Sequence, residues 1–359
     1  MTRVLEFGPL ALFSRVQPET TVRFWTGIDP HDSLGEPIRR WGPRRFLELQ
    51  RSLGNDHFDL IVCHVPFHPL RLRDPRWLAY EFISRTRAAP LVALDLNDRI
   101  PLTPTALKLL DRCHMYFKRE LPIDRDKLVT NPSARQKGVL ARNLSKLRPI
   151  SIGLAPWRIA DLPDPLPEKT TDIFYSGTFN LEIRSRGAEQ LDRLAQEGIR
   201  VDLSRERLDR KEYLRRTAQA YLVWSPEGLG WQCFRHLEVS AAASVPVINH
   251  SAIEQVKPLQ QDRHCLHYHP DGDDLLQVIR AALTDKQRLQ KMGQAARHHV
   301  LTNHMHANSV AYILSTALSA GLRNQRQRVA EPEPLTIFHT GVPAELEFIV
   351  AMTQDSKCR

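Results

Sequence analysis

Short apolar runs alternate with longer amphipathic stretches along most of this 359-residue chain. In the first half, Phe58–Val65 (FDLIVCHV), Leu91–Leu96 (LVALDL) and Met115–Phe117 are brief and continuously apolar. Strands of a parallel sheet, covered on both faces, read this way. The opening run Val4–Phe13 is apolar apart from Glu6 and has no small-residue cleavage site after it, so it predicts a first buried strand, not a signal peptide. Between the runs, WLAYEFISRTR (77–87) and TPTALKLLDR (103–112) have helical spacing, and Thr103 or Thr105 can cap the second. Four prolines between Ile150 and Thr171 disfavour helix and predict an extended linker.

The alternation then restarts. Strands are predicted at Thr171–Ser176, Ile199–Leu203, Ala220–Trp224, Val245–Asn249 and Cys265–Tyr268. Helices are predicted at Gly187–Glu197, Arg210–Ala220, Gln232–Ala243, Asp271–Leu283, Lys286–His299 and His306–Leu318. Alternating β and α elements imply α/β domains with parallel sheets. The length predicts two of them. Residues 1–150 and 171–320 are read as Rossmann-like domains, 151–170 as the linker, and 321–359 as a tail with no assigned place.

Hydrophobic residues make up 42% of the chain and charged residues 25%, ordinary for a globular enzyme. No apolar run approaches the ~20 residues needed to cross a bilayer. The five cysteines are scattered without a C-x-x-C pair, which points to a reducing compartment and away from disulfides or structural zinc. A cytoplasmic location is the resulting expectation. Residues 1–150 hold 25 Lys and Arg against 16 Asp and Glu, whereas the remainder holds 25 of each. The whole net charge of +9 therefore sits in the first half. Any one cluster, such as Arg39, Arg40, Arg44 and Arg45, or Arg71, Arg73 and Arg76, reads first as a solvated face. The asymmetry between the halves fits an anionic acceptor or an anionic membrane surface as well as it fits a solvated one.

The densest chemistry lies in YLVWSPEGLGWQCFRHLEVSAAASVPVINHS, Tyr221–Ser251. A strand ends at Ser225-Pro226, a turn supplies Gly228 and Gly230, and a helix begins near Gln232. Glycines at such a turn let backbone amides approach a ligand, and a helix N-terminus attracts anions. A diphosphate suits the place. Arg235 can grip phosphate oxygens as a fork, and Glu238, three residues on, shares its helix face. The same two residues also read as an i,i+3 salt bridge on a solvated helix.

The pattern S-P-E-G-x-G-x-x-x-F-R-x-x-E-x-x-A-x-x-S-V-P-V-I resembles the donor-binding segment of group 1 (GT-B) glycosyltransferases. It is most similar to the spore-maturation-type branch, with some likeness to exostosin-type domains. FYSGTFNLEIRSRG (174–187) and MYFKREL (115–121) resemble further segments of that branch. The resemblance implies a GT-B architecture, two Rossmann-like domains facing a cleft, and a nucleotide-sugar donor with no separate cofactor. It places Glu238 on the donor ribose and Arg235 on the donor phosphates, with Gly177, Arg184, Arg186, Glu227, Gly228 and Gly230 beside them. The family's better-known motif spaces two glutamates eight apart. Here Glu227 and Glu238 are eleven apart, so Glu227 loses its expected partner position.

A metal-free site neutralises the departing phosphate with amides, a helix N-terminus and Arg. An inverting reaction also needs a general base from the first domain, and Asp98, Asp95, His64 and His68 lie at or just past strand ends. Asp271-Gly272-Asp273 spells D-x-D but precedes a helix and reads as a cap. The scattered histidines lack zinc spacing. The expected function is glycosyl transfer from a nucleotide sugar to an acceptor, with an anionic glycan or glycolipid as a candidate and no specific nucleic acid as partner. A sugar-nucleotide epimerase and a non-catalytic binding protein on the same fold are the alternatives.

Overall fold

The computed structural model describes residues 2–26, 41–67, 74–269, 271 and 274–326. Arg39, Arg40, Arg71, Arg73, His68, Gly272, Asp273, Cys358 and the tail from 327 lie outside the described residues. The chain divides into two compact units, one comprising residues up to Ile150 together with those from Ala307, the other Ser151–His306.

The first unit runs β1 (Val4–Gly8), α1 (Phe13–Val16), β2 (Thr21–Trp25), α2 (Pro43–Asn55), β3 (Leu60–His64), α3 (Pro75–Arg85), β4 (Leu91–Asp95), α4 (Pro104–Arg112), β5 (Met115–Lys118), α5 (Ala134–Asn143) and β6 (Leu147–Pro149). Its sheet has the order β2-β1-β3-β4-β5-β6, with every pairing parallel. Successive residues point to opposite faces. Leu5, Phe7, Ile61, Cys63 and Ala93 pack into one core, while Val4, Leu60, Val62, Val92 and Leu94 pack into another. Burial on both faces is why these strands read as unbroken apolar runs. Thr103 accepts from Ala106 N at 3.2 Å, so it, and not Thr105, caps α4.

The run Val4–Phe13 is not one strand. It stops at Gly8, where φ is +136° and an added Cβ would lie 2.6 Å from His64 Cβ. Glu6 directs the chain beyond that point. Its buried carboxylate accepts from Leu12 N (2.8 Å), Phe13 N (2.9 Å), Ser14 N (2.9 Å) and Ser14 Oγ (2.6 Å), so the backbone turns back to begin α1 on it.

The second unit continues with β7 (Thr171–Ser176), α6 (Glu182–Gln196), β8 (Val201–Ser204), α7 (Arg210–Gln219), β9 (Ala220–Trp224), α8 (Phe234–Ala241), β10 (Val245–Asn249), β11 (Leu266–Tyr268), α9 (Leu275–Leu283) and α10 (Lys286–Asn303). Its parallel sheet has the order β11-β10-β9-β7-β8. The proline-rich stretch packs on this unit, with Ile152 and Leu154 in a core with Leu237, Ala241 and Val300. The last helix, α11 (His306–Arg326), reads in sequence as part of the second domain. In the structure its Val310, Ile313 and Ala317 join Val4, Leu60 and Phe117 in a core of the first unit.

Candidate functional site

In the second sheet the strand order reverses between β7 and β9, and open parallel sheets bind ligands at the carboxyl ends beside such a reversal. Gly177 follows β7 directly. A Cβ there would lie 2.5 Å from Arg235 Nη2 and 2.9 Å from Tyr175 Oη, so only glycine lets the guanidinium settle against the strand end. Arg235, the second residue of α8, donates from Nη2 to Ser176 O (2.9 Å) and stacks 4.8 Å from the Tyr175 ring centre. Its Nε and Nη1 atoms are enclosed yet have no protein acceptor. A guanidinium held in this way fits an anionic ligand such as phosphate.

Arg184 ties the two loops together. Its Nε donates to Glu227 O (3.1 Å) and its Nη1 to Thr178 Oγ1 (3.0 Å). A Cβ on Gly228 would come within 3.2 Å of Arg184 Nη2, and Gly228 N closes the turn on Gly230 O (3.0 Å). Glu227 is clasped by the last residue of β10. Its amide donates to Asn249 Oδ1 (3.0 Å), and Asn249 Nδ2 donates to Glu227 Oε2 (2.9 Å). Beside it opens a cavity of about 230 Å³ whose walls include Glu227, Glu182, Arg186, Tyr268 and Asp271. Carboxylates around one guanidinium suit a ligand rich in hydroxyl groups. Asp271, expected as a helix cap, is therefore a wall of this cavity, and the cap position of α9 falls on Asp274.

Glu238 is placed differently from its expected role on the donor ribose. It is 5% exposed, and its Oε1 accepts from Arg158 Nη1 (3.1 Å) and Arg210 Nη2 (3.2 Å). Arg158 also lies 3.3 Å over the Phe234 ring. The carboxylate thus fastens the proline-rich segment and α7 to α8. The i,i+3 pair with Arg235 does not form, because Arg235 turns to the end of β7 while Glu238 turns to Arg158 and Arg210.

The candidate bases of the first unit are also corrected by their surroundings. His64 is fully buried, its Nε2 2.8 Å from Glu6 Oε1. Burial pushes the Glu6 carboxyl up, but the hydrogen bond and charge of His64 and the bonds from Ser14 outweigh it and hold the group at about 2. Asp95 is 2% exposed and accepts from Lys118 Nζ (3.0 Å), Tyr116 Oη (2.8 Å) and Asn97 Nδ2 (2.7 Å). Neither group can reach an acceptor hydroxyl in this arrangement. Asp98 keeps an exposed carboxylate, 44% accessible, paired with Arg119.

Two residues went unnoticed in the sequence. Asn249 carries only the weak signal of a polar residue ending an apolar strand. Cys233 occupies the N-cap of α8, 3.5 Å from both ring nitrogens of His236. Among the described residues, no group of three or more His, Cys, Asp or Glu side chains is arranged to hold a metal ion. No described helix is long and apolar enough to cross a membrane.

A glycosyl transferase-like family model matches residues 177–315, from the turn after β7 into α11. No significant sequence match to a curated protein is found. Among solved structures, Anabaena HepE in complex with UDP is similar at 13% identity and a TM-score of 0.53, over 89% of this chain and 100% of HepE. HepE in complex with UDP-glucose gives 12% and 0.51, over 88% and 99%. A glycosyltransferase from Rickettsia africae gives 12% and 0.54, over 90% and 99%. At such identities the likeness is one of fold. Its two parallel-sheet α/β units have the GT-B architecture, as the sequence predicts.

Proposed function

We propose that the second unit binds a nucleotide-sugar donor and that the protein is a glycosyltransferase, nearest the spore-maturation-type branch by its F-R-x-x-E segment. The observation that carries this reading is the convergence of Arg235, Arg184 and Glu227 where the second sheet reverses, with Glu227 also lining a cavity of about 230 Å³. The family match over 177–315 and the UDP and UDP-glucose complexes of HepE support it.

As negative charge grows on the departing nucleotide phosphate, the enclosed N–H groups of Arg235 and the amides at the start of α8 stabilise it. This chemistry needs no metal ion. Glu227 and Asp271 accept from sugar hydroxyls. The basic first unit takes the acceptor, an anionic glycan or glycolipid, or lies against an anionic membrane surface. If the reaction inverts, Asp98 takes the proton once Arg119 releases it.

A thermal-shift panel of UDP-, GDP-, ADP-, CMP- and dTDP-sugars tests the donor site. One nucleotide class is expected to stabilise the protein, and Arg235→Ala is expected to abolish the shift. No stabilisation by any of the five would defeat the donor reading. Binding without hydrolysis or transfer would favour a non-catalytic protein, and conversion of the sugar without an acceptor an epimerase.

A further inference from the structure

Among the described cysteines, Cys63, Cys113 and Cys265 are buried in apolar cores, whereas Cys233 is half-buried. Burial pushes the Cys113 and Cys265 thiols up to about 12. Burial acts the same way on Cys233, but the charge and hydrogen bond of His236 and the charge of Arg235 reverse it, holding this thiol at about 6. The groups facing the sulfur are His236 and Arg235 from α8, Tyr175 from β7 and Tyr213 from α7. The position repeats what activates thiols generally, a helix N-terminus with cationic neighbours.

Two further observations bear on what reaches it. A cavity of about 30 Å³ opens on Cys233 and His236 between Trp231, Gln232 and Leu237, room for a reagent no larger than one or two waters. Beside the sulfur, Arg235 holds its enclosed Nε and Nη1 donors without a protein acceptor. These are the donors assigned above to the donor phosphates.

We propose that Cys233 is an oxidant-responsive site of the donor pocket, converted by a hydroperoxide to a sulfenate that takes the Arg235 guanidinium away from the nucleotide. The thiolate sulfur attacks one peroxide oxygen. The S–O bond forms, the O–O bond breaks, and the leaving hydroxide takes the proton of the new sulfenic acid, giving sulfenate and water. Sulfur loses two electrons and the peroxide gains them. The new oxygen accepts from the free guanidinium N–H groups, so the oxidised protein holds a diphosphate less tightly.

The competition rests on the donor reading, so the test separates the two. The full chain is treated with hydrogen peroxide, which the cavity admits, then freed of peroxide and unfolded in guanidinium chloride with dimedone present so that the probe reaches every cysteine. Adducts are mapped by peptide mass spectrometry, and UDP and GDP binding of the folded protein is measured by calorimetry before and after oxidation. The expected result is an adduct at Cys233 and none at Cys63, Cys113 or Cys265. Nucleotide affinity falls roughly 30-fold or more, the loss of the two charge-assisted hydrogen bonds from Arg235. Cys233→Ser and Cys233→Ala are expected to bind nucleotide and to be indifferent to peroxide. An unlabelled Cys233, or a labelled one with unchanged affinity, would overturn the proposal. Untreated protein that binds neither nucleotide would defeat the donor reading and the competition together, whatever the labelling shows.

Discussion

Replacing Arg235 with alanine separates a ligand-binding arginine from a structural one, because the two roles predict opposite costs. The side chain donates one hydrogen bond, Nη2 to Ser176 O at 2.9 Å, and stacks 4.8 Å from Tyr175. Losing these costs about 1.5–3 kcal/mol for the charged hydrogen bond and about 1 kcal/mol for the stacking. Against that, Nε and Nη1 are enclosed without acceptors, and removing each relieves about 1–3 kcal/mol of unpaired desolvation. The terms nearly cancel. The melting temperature of Arg235→Ala is therefore expected to stay within about 4 °C of the parent, as a net change near 1 kcal/mol implies. Nucleotide binding has no such compensation. Two charge-assisted hydrogen bonds to phosphate, discounted for partial exposure, are worth about 2–3 kcal/mol, or roughly 30- to 150-fold in Kd. Calorimetry with UDP and scanning calorimetry of the unliganded protein read the two numbers independently. Arg235→Lys keeps the charge but not the fork and should fall between. Affinity within about twofold of the parent, or a melting temperature lower by ~10 °C, would show that Arg235 holds the fold and not the ligand.

The two glutamates should behave as opposites. Glu238→Gln breaks a nearly buried carboxylate from Arg158 and Arg210, and about 2 kcal/mol of stability should go, while UDP affinity in the surviving folded protein is kept. Glu227→Gln keeps its shape beside Asn249 and should leave the melting temperature nearly unchanged while weakening binding of the nucleotide sugar more than of the free nucleotide. Glu6 sets part of the acid limb. Its folded pKa of about 2 lies below the ordinary 4.5, so its contribution is complete above about 4.5 and disappears as pH falls towards 2. The shift corresponds to about 3 kcal/mol, and Glu6→Gln should flatten that part of a urea-stability profile against pH. Gly187→Ala drives a methyl group into the ring of fully buried Trp224 and should cost about 1–3 kcal/mol, read as a lower urea midpoint.

How much of the fold is legible in the sequence depends on how far each interaction reaches. Strands β3, β4, β5, β7, β9 and β10 are buried on both faces, so their apolar runs announce them without knowledge of any partner. β2 hides because it is an edge strand, only half covered at Thr21, Val22 and Arg23. The helical period of α11 is plain, but periodicity gives a face and not the core it meets, and that core is supplied by residues such as Val4 and Leu60. Glu238 fails in the same way. Its partners lie 80 and 28 residues upstream, beyond any local pattern.

The spacing of the two glutamates misleads for a deeper reason. Glu227 follows β9 by three residues, and its amide is pinned to Asn249 at the end of the neighbouring strand β10. The sheet fixes its position, and a longer turn after it changes nothing. Glu238 lies beyond that turn, on α8. Three extra residues in the turn before α8 lengthen the interval without moving the strand end. Glu227 therefore keeps its place at the cavity whatever the count, and the eleven-residue interval is no argument against it.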